Sequence, residues 1–168
     1  MKRKVLCVVG TRPEAIKMAP IVLALKRESM LDVRVLATAQ HRRLLDQVLE
    51  VFDIEPDIDL DIMRPNQALT TLTVRFLLDL DDVLLSDKPD ALFARGDTTT
   101  VMTVALVCFY HKIPFGHVEA GLRTWNMQNP FPEEMNRVIA GRLAKWHFPL
   151  PKAHVRICCA RVYRMRTL

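Results

Sequence analysis

The sequence predicts an α/β fold, in which a parallel sheet carries helices on both of its faces. Short, continuously apolar segments, typical of strands buried on both faces, alternate along the chain with longer segments whose apolar residues recur at helical spacing. Such alternation is typical of parallel sheets. Half of the 168 residues are hydrophobic and 26% are charged, which fits one globular domain of ordinary size.

The predicted strands are short and end at polar or glycine residues. The first, KVLCVVG, is apolar after Lys4 and closes at Gly10. LDVRVLAT, DALFAR and IPFGHVEA are the second, third and fourth strands, and HFPL begins a fifth. These segments cover residues 4–10, 31–38, 90–95, 113–120 and 147–150.

The predicted helices fill the intervals between the strands. In the first helix, Pro13 suits an initial position and Glu14 complements the helix dipole. Pro20 removes a helical N–H group and therefore predicts a kink or a restart. The acidic segment over residues 53–67 is predicted to be a loop. The helices are predicted over residues 12–29, 41–52, 68–86, 98–112 and 132–146.

Several functional classes are disfavoured by the sequence. No apolar run approaches the roughly 20 residues that span a bilayer. The apolar run after the basic start ends at Gly10 without a small-x-small cleavage site, so we expect a cytoplasmic protein that does not act at a membrane. The four cysteines show no CxxC spacing and the five histidines no HExxH pattern. We therefore expect no metal site and no cofactor.

The net charge of +5 is concentrated at one end of the chain. Residues 149–168 hold five of the 24 basic residues and no acid, so the first 148 residues carry 19 charges of each sign. The body of the protein thus lacks an overall basic field, and we expect no nucleic-acid partner.

Polar segments follow the first four predicted strands. They are GTRPEAIK, AQH, GDTTT and HVEAGLRT. In an open parallel sheet, ligands bind outside the carboxyl ends of the strands. All four segments are therefore predicted to lie on the edge of the sheet where a ligand binds, which is a stronger indication than any one of the motifs.

Four side chains in these segments are candidates for a binding site. Arg12 and Lys17 lie near a helix N-terminus, where free N–H groups and the helix dipole favour an anion. The alternative is that both are simply solvated. Asp97 follows a strand, and its alternative role is a helix N-cap. Glu119 precedes Gly121 at a buried edge, so its carboxylate needs a partner or a chemical task.

Two further acids open the last predicted helix. Glu133 and Glu134 have an obvious structural explanation as first-turn acids that complement the helix dipole. Glu133 also lies four residues before Arg137, the spacing of a helical ion pair. Considered alone, this structural explanation is the stronger one.

Five motifs together change this balance. GTRPEAIKMAP, TAQHRRLLDQVL, GDTTT, GHVEAGLRT and PEEMNR occur in this order between Lys4 and about Phe148. They resemble the non-hydrolysing UDP-N-acetylglucosamine 2-epimerase family, with spacings like the family's. The resemblance implies a Rossmann-like parallel sheet with helices on both faces, the first half of a two-domain GT-B-like epimerase fold, over residues 1–148.

The resemblance also implies an activity. Members of the family are isomerases that interconvert UDP-N-acetylglucosamine and UDP-N-acetylmannosamine for polysaccharide biosynthesis. They are understood to eliminate UDP, giving a 2-acetamidoglucal, and to add it back with the opposite configuration at carbon 2. This scheme needs acid–base groups near carbons 2 and 3 and cationic support for the leaving pyrophosphate. The resemblance further implies a homodimer.

By resemblance, individual residues acquire roles. The residues that match the family's catalytic carboxylates are Asp97, Glu119 and Glu133. Those that match its basic substrate-binding residues are Arg12, Lys17 and Arg137. Gln40 matches a position that helps to bind a second, activating UDP-N-acetylglucosamine. Which carboxylate acts as acid and which as base remains open from the sequence.

The sequence departs from the family pattern at several positions. Arg95 stands where His or Gln is more usual, and its position two residues before Asp97 predicts a lowered pKa for that carboxylate. Arg43 and Asn66 replace residue types usual around the activator site. The family's second domain supplies a histidine and the residues that bind uracil and ribose, and these have no counterpart in the 168 residues.

The basic segment 149–168 does not resemble the helix that the family places there. One choice of codons for residues 154–168, read with one added G in a shifted frame, encodes ARANLLREGVPDAHL, which closely matches the expected helix. We therefore interpret residues 149–168 as the product of a frameshift. The alternative is an evolved basic tail that binds an acidic partner.

Three functions remain under consideration. The first is the nucleotide-binding half of an epimerase, expected to be truncated and poorly active or inactive alone. The second is a non-catalytic nucleotide-sugar-binding or dimerisation module with the same fold. The third is a glycosyltransferase of similar two-domain architecture, which the combination of GDTTT, HVEAGLRT and PEEMNR disfavours.

Overall fold

A computed structural model of the protein describes residues 1–38, 42–62 and 67–149, with the backbone alone at residues 42 and 43. The described chain forms six strands and five helices. The strands are β1 (Arg3–Val9), β2 (Leu31–Ala37), β3 (Ile58–Asp59), β4 (Ala91–Arg95), β5 (Phe115–Ala120) and β6 (Trp146–Pro149). The helices are α1 (Arg12–Lys26), α2 (Arg42–Val51), α3 (Leu69–Asp87), α4 (Thr99–Tyr110) and α5 (Glu133–Leu143).

All neighbouring strands are parallel, and their spatial order is β3-β2-β1-β4-β5-β6. This is the Rossmann order, in which the chain builds outward from β1 on one side and then returns through α3 to build outward on the other. The predicted fold class is confirmed. The order reverses between β1 and β4, and a crevice for ligands opens at such a point, beyond the carboxyl ends of the strands.

The sheet separates two hydrophobic clusters, as a doubly covered sheet requires. Along β1, Val5, Cys7 and Val9 face the cluster built with α1 and α2. Leu6 and Val8 face the opposite cluster, built with α3, α4 and α5. All five side chains are buried. The continuous apolar run of the first strand therefore reflects burial on both faces rather than on one.

Two details differ from the expectations. The acidic segment predicted as a loop contains β3, which pairs with β2 through Leu36 and Ala37. This strand has two residues, too few to give a periodic signal. Helix α1 runs without interruption through Pro20, so of the predicted kink or restart, the restart does not occur. Pro20 is exposed, and the buried residues of α1 hold the helix against the sheet on either side of it.

Within the described residues, no helix is long and apolar enough to cross a membrane.

Gly116 on β5 lies against a cluster of aromatic side chains that come from the neighbouring strands β4 and β6. Phe93 stacks on Trp146 with ring centroids 6.0 Å apart and meets Phe148 at 5.9 Å. A Cβ atom at Gly116 would lie 2.4 Å from two ring atoms of Phe93. Glycine is therefore required at this position for steric reasons.

We expect Gly116→Ala to lower the free energy of unfolding by about 1–3 kcal/mol, because the Phe93 ring must leave its stack. Gly141→Ala is the matched control. Gly141 lies inside α5 with no atom within 4 Å of its added Cβ, so alanine should raise stability by up to about 1 kcal/mol through helix propensity. Urea denaturation followed by circular dichroism measures both. Equal stability of Gly116→Ala and the wild type would contradict this packing.

Candidate active site

The turns after β1, β4 and β5 meet at one edge of the sheet, together with Thr38 at the end of β2, as predicted. The N–H of Thr38 donates to the carbonyl of Val9 at 3.0 Å, and the N–H of Gly96 donates to the carbonyl of Val118 at 3.0 Å. The second bond places Asp97 and Glu119 one residue beyond a hydrogen-bonded pair on adjacent strands. The segments GTRPEAIK, GDTTT and HVEAGLRT are thus neighbours in space, while AQH lies outside the described residues.

Asp97 is fixed through both its side chain and its backbone. The Arg137 guanidinium donates to Asp97 Oδ2 from Nε at 2.8 Å and from Nη2 at 2.5 Å. The buried Asn136 amide donates to the Asp97 carbonyl at 2.8 Å. Gly96 turns the chain with φ of +94°, a conformation that favours glycine. Helix α5 therefore delivers two adjacent side chains to the Asp97 turn.

A buried histidine holds the same turn from β5. His117 Nε2 lies 2.7 Å from the Gly96 carbonyl. Burial lowers the pKa of His117, although the hydrogen bond to Gly96 opposes that effect. The imidazole is therefore neutral near pH 7, and its Nε2–H donates to the carbonyl. The Asp97 turn is held on three sides.

Glu119 lies between two cations. Its Oε1 accepts a hydrogen bond from Lys17 Nζ at 3.0 Å, and its Oε2 contacts the Arg95 guanidinium. Its side chain is 9% exposed. The residue lies at a register shift in β5 with φ of +62°, a strained conformation for a non-glycine residue that is often found at functional sites.

The contact of Arg95 corrects one expectation. Arg95 was predicted to act on Asp97, its near neighbour in sequence. Its ion-pair partner is Glu119 on the adjacent strand, whereas Asp97 pairs with Arg137. Two separate cation–carboxylate groups therefore share this edge of the sheet.

Glu133 and Glu134 have different environments although they are adjacent. Glu133 is half-buried, and within the described residues its buried Oε2 atom has no hydrogen-bond partner. The helical ion pair expected between Glu133 and Arg137 does not form, because Arg137 pairs with Asp97 and, at 3.5 Å, with Glu134. A simple first-turn pair therefore does not explain Glu133.

Glu134 is fully buried and organises the loop before α5. It accepts hydrogen bonds from Arg123 Nε at 2.6 Å and from the backbone N–H groups of Thr124 at 3.0 Å and Trp125 at 3.2 Å. Burial alone would raise the pKa of Glu134, but these donors outweigh it and the pKa lies below its ordinary value. The sequence analysis missed this role, since the partners depend on how the loop folds.

The start of α1 differs from the anion site that was predicted. The N–H groups of Gly10 and Thr11 are not free, because both donate to Glu14 Oε2, at 2.7 and 2.9 Å. The N–H of Glu14 donates to Thr11 Oγ1 at 3.4 Å, which completes a capping box. Arg12 is exposed at the first position of the helix. An anion at this edge would therefore be held mainly by side chains.

The remaining site prediction is Gln40, which lies outside the described residues, as do residues 150–168. Among the described residues, no group of three or more potential metal ligands comes together. A groove of about 620 Å³ lies at the opposite edge of the sheet. It is lined by the N-terminal segment and the turn before β4, far from the carboxylates, so its size does not make it the reactive site.

Comparison with known proteins places the chain in a family. A family model described as UDP-N-acetylglucosamine 2-epimerase (Epimerase_2) matches residues 23–159. The chain belongs to the UDP-N-acetylglucosamine 2-epimerase family. The match confirms the resemblance predicted from the five motifs. It runs past Phe148, while the interpretation of residues 149–168 as frameshifted stays a prediction.

Individual relatives support this assignment. The chain is 58% identical to the UDP-N-acetylglucosamine 2-epimerase of Yersinia pestis over 145 residues, which is 86% of this chain and 39% of the relative. The crystal structure of the Neisseria meningitidis UDP-GlcNAc 2-epimerase bound to UDP-GlcNAc superposes with a TM-score of 0.90 at 48% identity, over 95% of this chain and 43% of that one. The Methanocaldococcus jannaschii enzyme, in complex with UDP-GlcNAc and UDP, gives a TM-score of 0.86 at 33% identity, over 98% of this chain and 44% of that one.

The chain spans about two fifths of the length of the relatives it matches. The part shared with the relatives includes Asp97, Glu119 and Glu133, which all lie among the described residues.

We expect Glu134→Gln to lower the free energy of unfolding by about 3 kcal/mol at pH 7, because it leaves the buried Arg123 guanidinium without its charged partner. Since the folded-state pKa of Glu134 lies below its ordinary value of 4.5, this stability is present above pH 4.5 and is lost as the pH falls through the folded-state pKa. Urea denaturation between pH 3 and pH 7 measures the difference between variant and wild type.

The control for this experiment is Glu50→Gln, which removes an exposed carboxylate on α2. It should change stability by less than about 0.5 kcal/mol at every pH. A Glu134→Gln deficit that stays constant, or grows, towards low pH would show that the ionised carboxylate is not what holds the loop.

Proposed function

We propose that this chain is the nucleotide-sugar half of an epimerase that interconverts UDP-N-acetylglucosamine and UDP-N-acetylmannosamine by elimination and re-addition of UDP. The observation that carries the proposal is the pairing of Asp97 with Arg137 and of Glu119 with Lys17 and Arg95 at one edge of the sheet. Glu133 opens the helix that carries Arg137. Family membership and the bound UDP-GlcNAc in the Neisseria meningitidis relative support the choice of substrate.

The proposed reaction needs groups that transfer a proton to and from the sugar. Elimination removes a proton from the sugar and breaks the bond between carbon 1 and the UDP oxygen, and re-addition returns both with inversion at carbon 2. Proton transfer by a positioned carboxylate contributes about 10²- to 10⁴-fold to such steps. We assign it to Asp97, Glu119 and Glu133.

Glu133 is the carboxylate best prepared to accept a proton. Asp97 is engaged by Arg137, and Glu119 by Lys17 and Arg95. The Glu119 Oε2 atom also lacks a hydrogen-bond partner but contacts Arg95, whereas the buried Oε2 atom of Glu133 has neither a hydrogen-bond partner nor a cation contact among the described residues. This difference favours Glu133 as the base of the elimination step.

The cations have a second task, which is to support the leaving UDP. Negative charge develops on the pyrophosphate as its bond to carbon 1 breaks, and fixed cations stabilise that charge without reorganising. We assign this role to Arg12, Lys17 and Arg137. Lys17 and Arg137 already lie against the carboxylates, and Arg12 is exposed at the start of α1.

Turnover also needs what the relatives carry beyond the shared part. Positioning and exclusion of water account for much of an enzyme's acceleration, and the matched relatives are more than twice as long. We therefore propose that the site is completed by a second domain. We further propose a cytoplasmic homodimer that also binds UDP-N-acetylglucosamine as an activator, with Gln40 at that second site.

A non-catalytic nucleotide-sugar-binding or dimerisation module is the second candidate. Arg95 favours this candidate. It stands where the family usually has His or Gln, and its guanidinium forms an ion pair with Glu119. A carboxylate held between two cations is well suited to structure and less suited to proton transfer.

The test joins residues 1–148 to the remaining part of the Yersinia pestis relative and follows UDP-N-acetylmannosamine formation by NMR. We expect turnover, and a loss of at least about 100-fold in Asp97→Asn, Glu119→Gln and Glu133→Gln, because each removes a proton-transfer group. The isolated 168-residue chain should be slower than the joined protein by more than about 100-fold, since half of its site is open to water.

Glu50→Gln, remote and exposed on α2, is the matched control and should keep full activity. Binding of UDP-N-acetylglucosamine without turnover in the joined protein would favour the non-catalytic module. Turnover in the isolated chain equal to that of the joined protein, and lost in an Asp97→Asn, Glu119→Gln double variant, would show that one domain suffices.

A further inference from the structure

Glu14 is a buried carboxylate at the point where the strand order reverses. It lies in the first turn of α1, is 3% exposed, and belongs to the GTRPEAIK segment. The sequence analysis gave it only the role of a first-turn acid. Its contacts reach well beyond its own helix.

The two carboxylate oxygens of Glu14 bind different turns. Oε2 accepts the N–H groups of Gly10 and Thr11, in the turn after β1. Oε1 accepts the hydroxyl of Thr98 at 2.8 Å, and Thr98 is the N-cap of α4, directly after Asp97. Because β1 and β4 are neighbouring strands, one side chain bridges the two turns that flank the crevice.

Helix capping explains only part of this arrangement. A capping box accounts for the Thr11 contact, but not for the bonds to Gly10 and to Thr98, which is 84 residues away in the sequence. The space around the carboxylate is also closely filled. A Cβ atom at Gly10 would lie within 3.2 Å of Glu14 Oε2 and of the hydroxyls of Thr38 and Thr100.

The chemistry of the three partners requires an acceptor. Two backbone N–H groups and one hydroxyl all donate to Glu14, and the Thr98 hydroxyl in turn accepts the N–H of Val101. Burial raises the pKa of Glu14, while the Thr98, Gly10 and Thr11 donors and the charge of Arg95 oppose that rise. The carboxylate thus occupies the place at a helix start that a bound anion takes in other Rossmann-like proteins.

We infer that Glu14 is a positioning residue, which fixes the turn that carries Arg12 relative to the turn that carries Asp97. Its carboxylate is 3% exposed, and we assign it no contact with substrate or reacting atoms. It serves as an internal hydrogen-bond acceptor that occupies the N–H groups of Gly10 and Thr11, so that the UDP pyrophosphate is held by side chains instead. The inference rests on the proposed function only where it concerns UDP.

The decisive variant is Thr98→Ala in the 168-residue chain, because it breaks the bridge without changing any charge. We expect the amide signals of Gly10 and Thr11 to move in ¹H–¹⁵N NMR spectra, since their shared acceptor loses its third partner. We also expect the dissociation constant for UDP to rise by about threefold, as Arg12 and Asp97 lose their fixed separation. Thr98→Ser keeps the hydroxyl and should restore both.

Two further variants complete the test. Thr71→Ala, exposed on α3, removes an equivalent hydroxyl and should change neither signal. Glu14→Gln probes the bridge from the other end. It keeps an oxygen for Gly10 and Thr11 but presents an amide to Thr98, so the Asp97 and Thr98 amide signals should move. This variant decides the question if Thr98→Ala does not fold.

The inference is overturned if Thr98→Ala changes only residues 97–102 and leaves Gly10 and Thr11 unmoved. It is also overturned if those signals move while UDP affinity stays constant, because Glu14 would then be structural alone. A wild-type chain that binds no UDP would contradict the proposed function. In that case, the amide response would still support or overturn the coupling between the two turns.

Discussion

The candidate site depends on one constraint, which is that every buried acid at the carboxyl edge of the sheet needs hydrogen-bond donors or cations around it. Glu14, Glu119 and Glu134 are buried or nearly so, and a buried carboxylate is costly unless donors or cations surround it. Each acid is satisfied by a group from a different segment. The turns after β1, β4 and β5 and the loop before α5 are therefore held together by the same contacts that prepare the site.

This arrangement separates the acids that hold turns in place from the acids to which we assign proton transfer. Glu14 and Glu134 accept three donors each and hold turns in place. Asp97 is partly exposed and Glu119 is nearly buried, and both pair with cations that a phosphate could also attract. Under the proposed function, UDP would compete with these carboxylates for Arg137 and Lys17.

The sequence was sufficient for the fold and for the grouping of the polar turns at one edge of the sheet, but not for the contacts within the candidate site. Alternating strands and helices determine that Gly10, Thr38, Gly96 and Glu119 share one edge, because parallel strands all end there. Strand β3 was not predicted, because its two residues are too few to show an alternating pattern. The partner of Arg95 was predicted from proximity in sequence, whereas pairing between adjacent strands decides it. The role of Glu134 depends on how residues 122–132 fold, which no local pattern records.

The most direct test is a map of amide shifts in the ¹⁵N-labelled chain during titration with UDP. The account predicts the largest changes at residues 10–12, 96–97 and 119–121, with saturation, because the pyrophosphate binds at the carboxyl edge of the sheet. The groove at the opposite edge offers a clear alternative, since Lys2, Arg3, Lys4 and Lys88 line it. Largest changes at residues 2–4 and 88, with the carboxyl edge unmoved, would contradict the placement of the site.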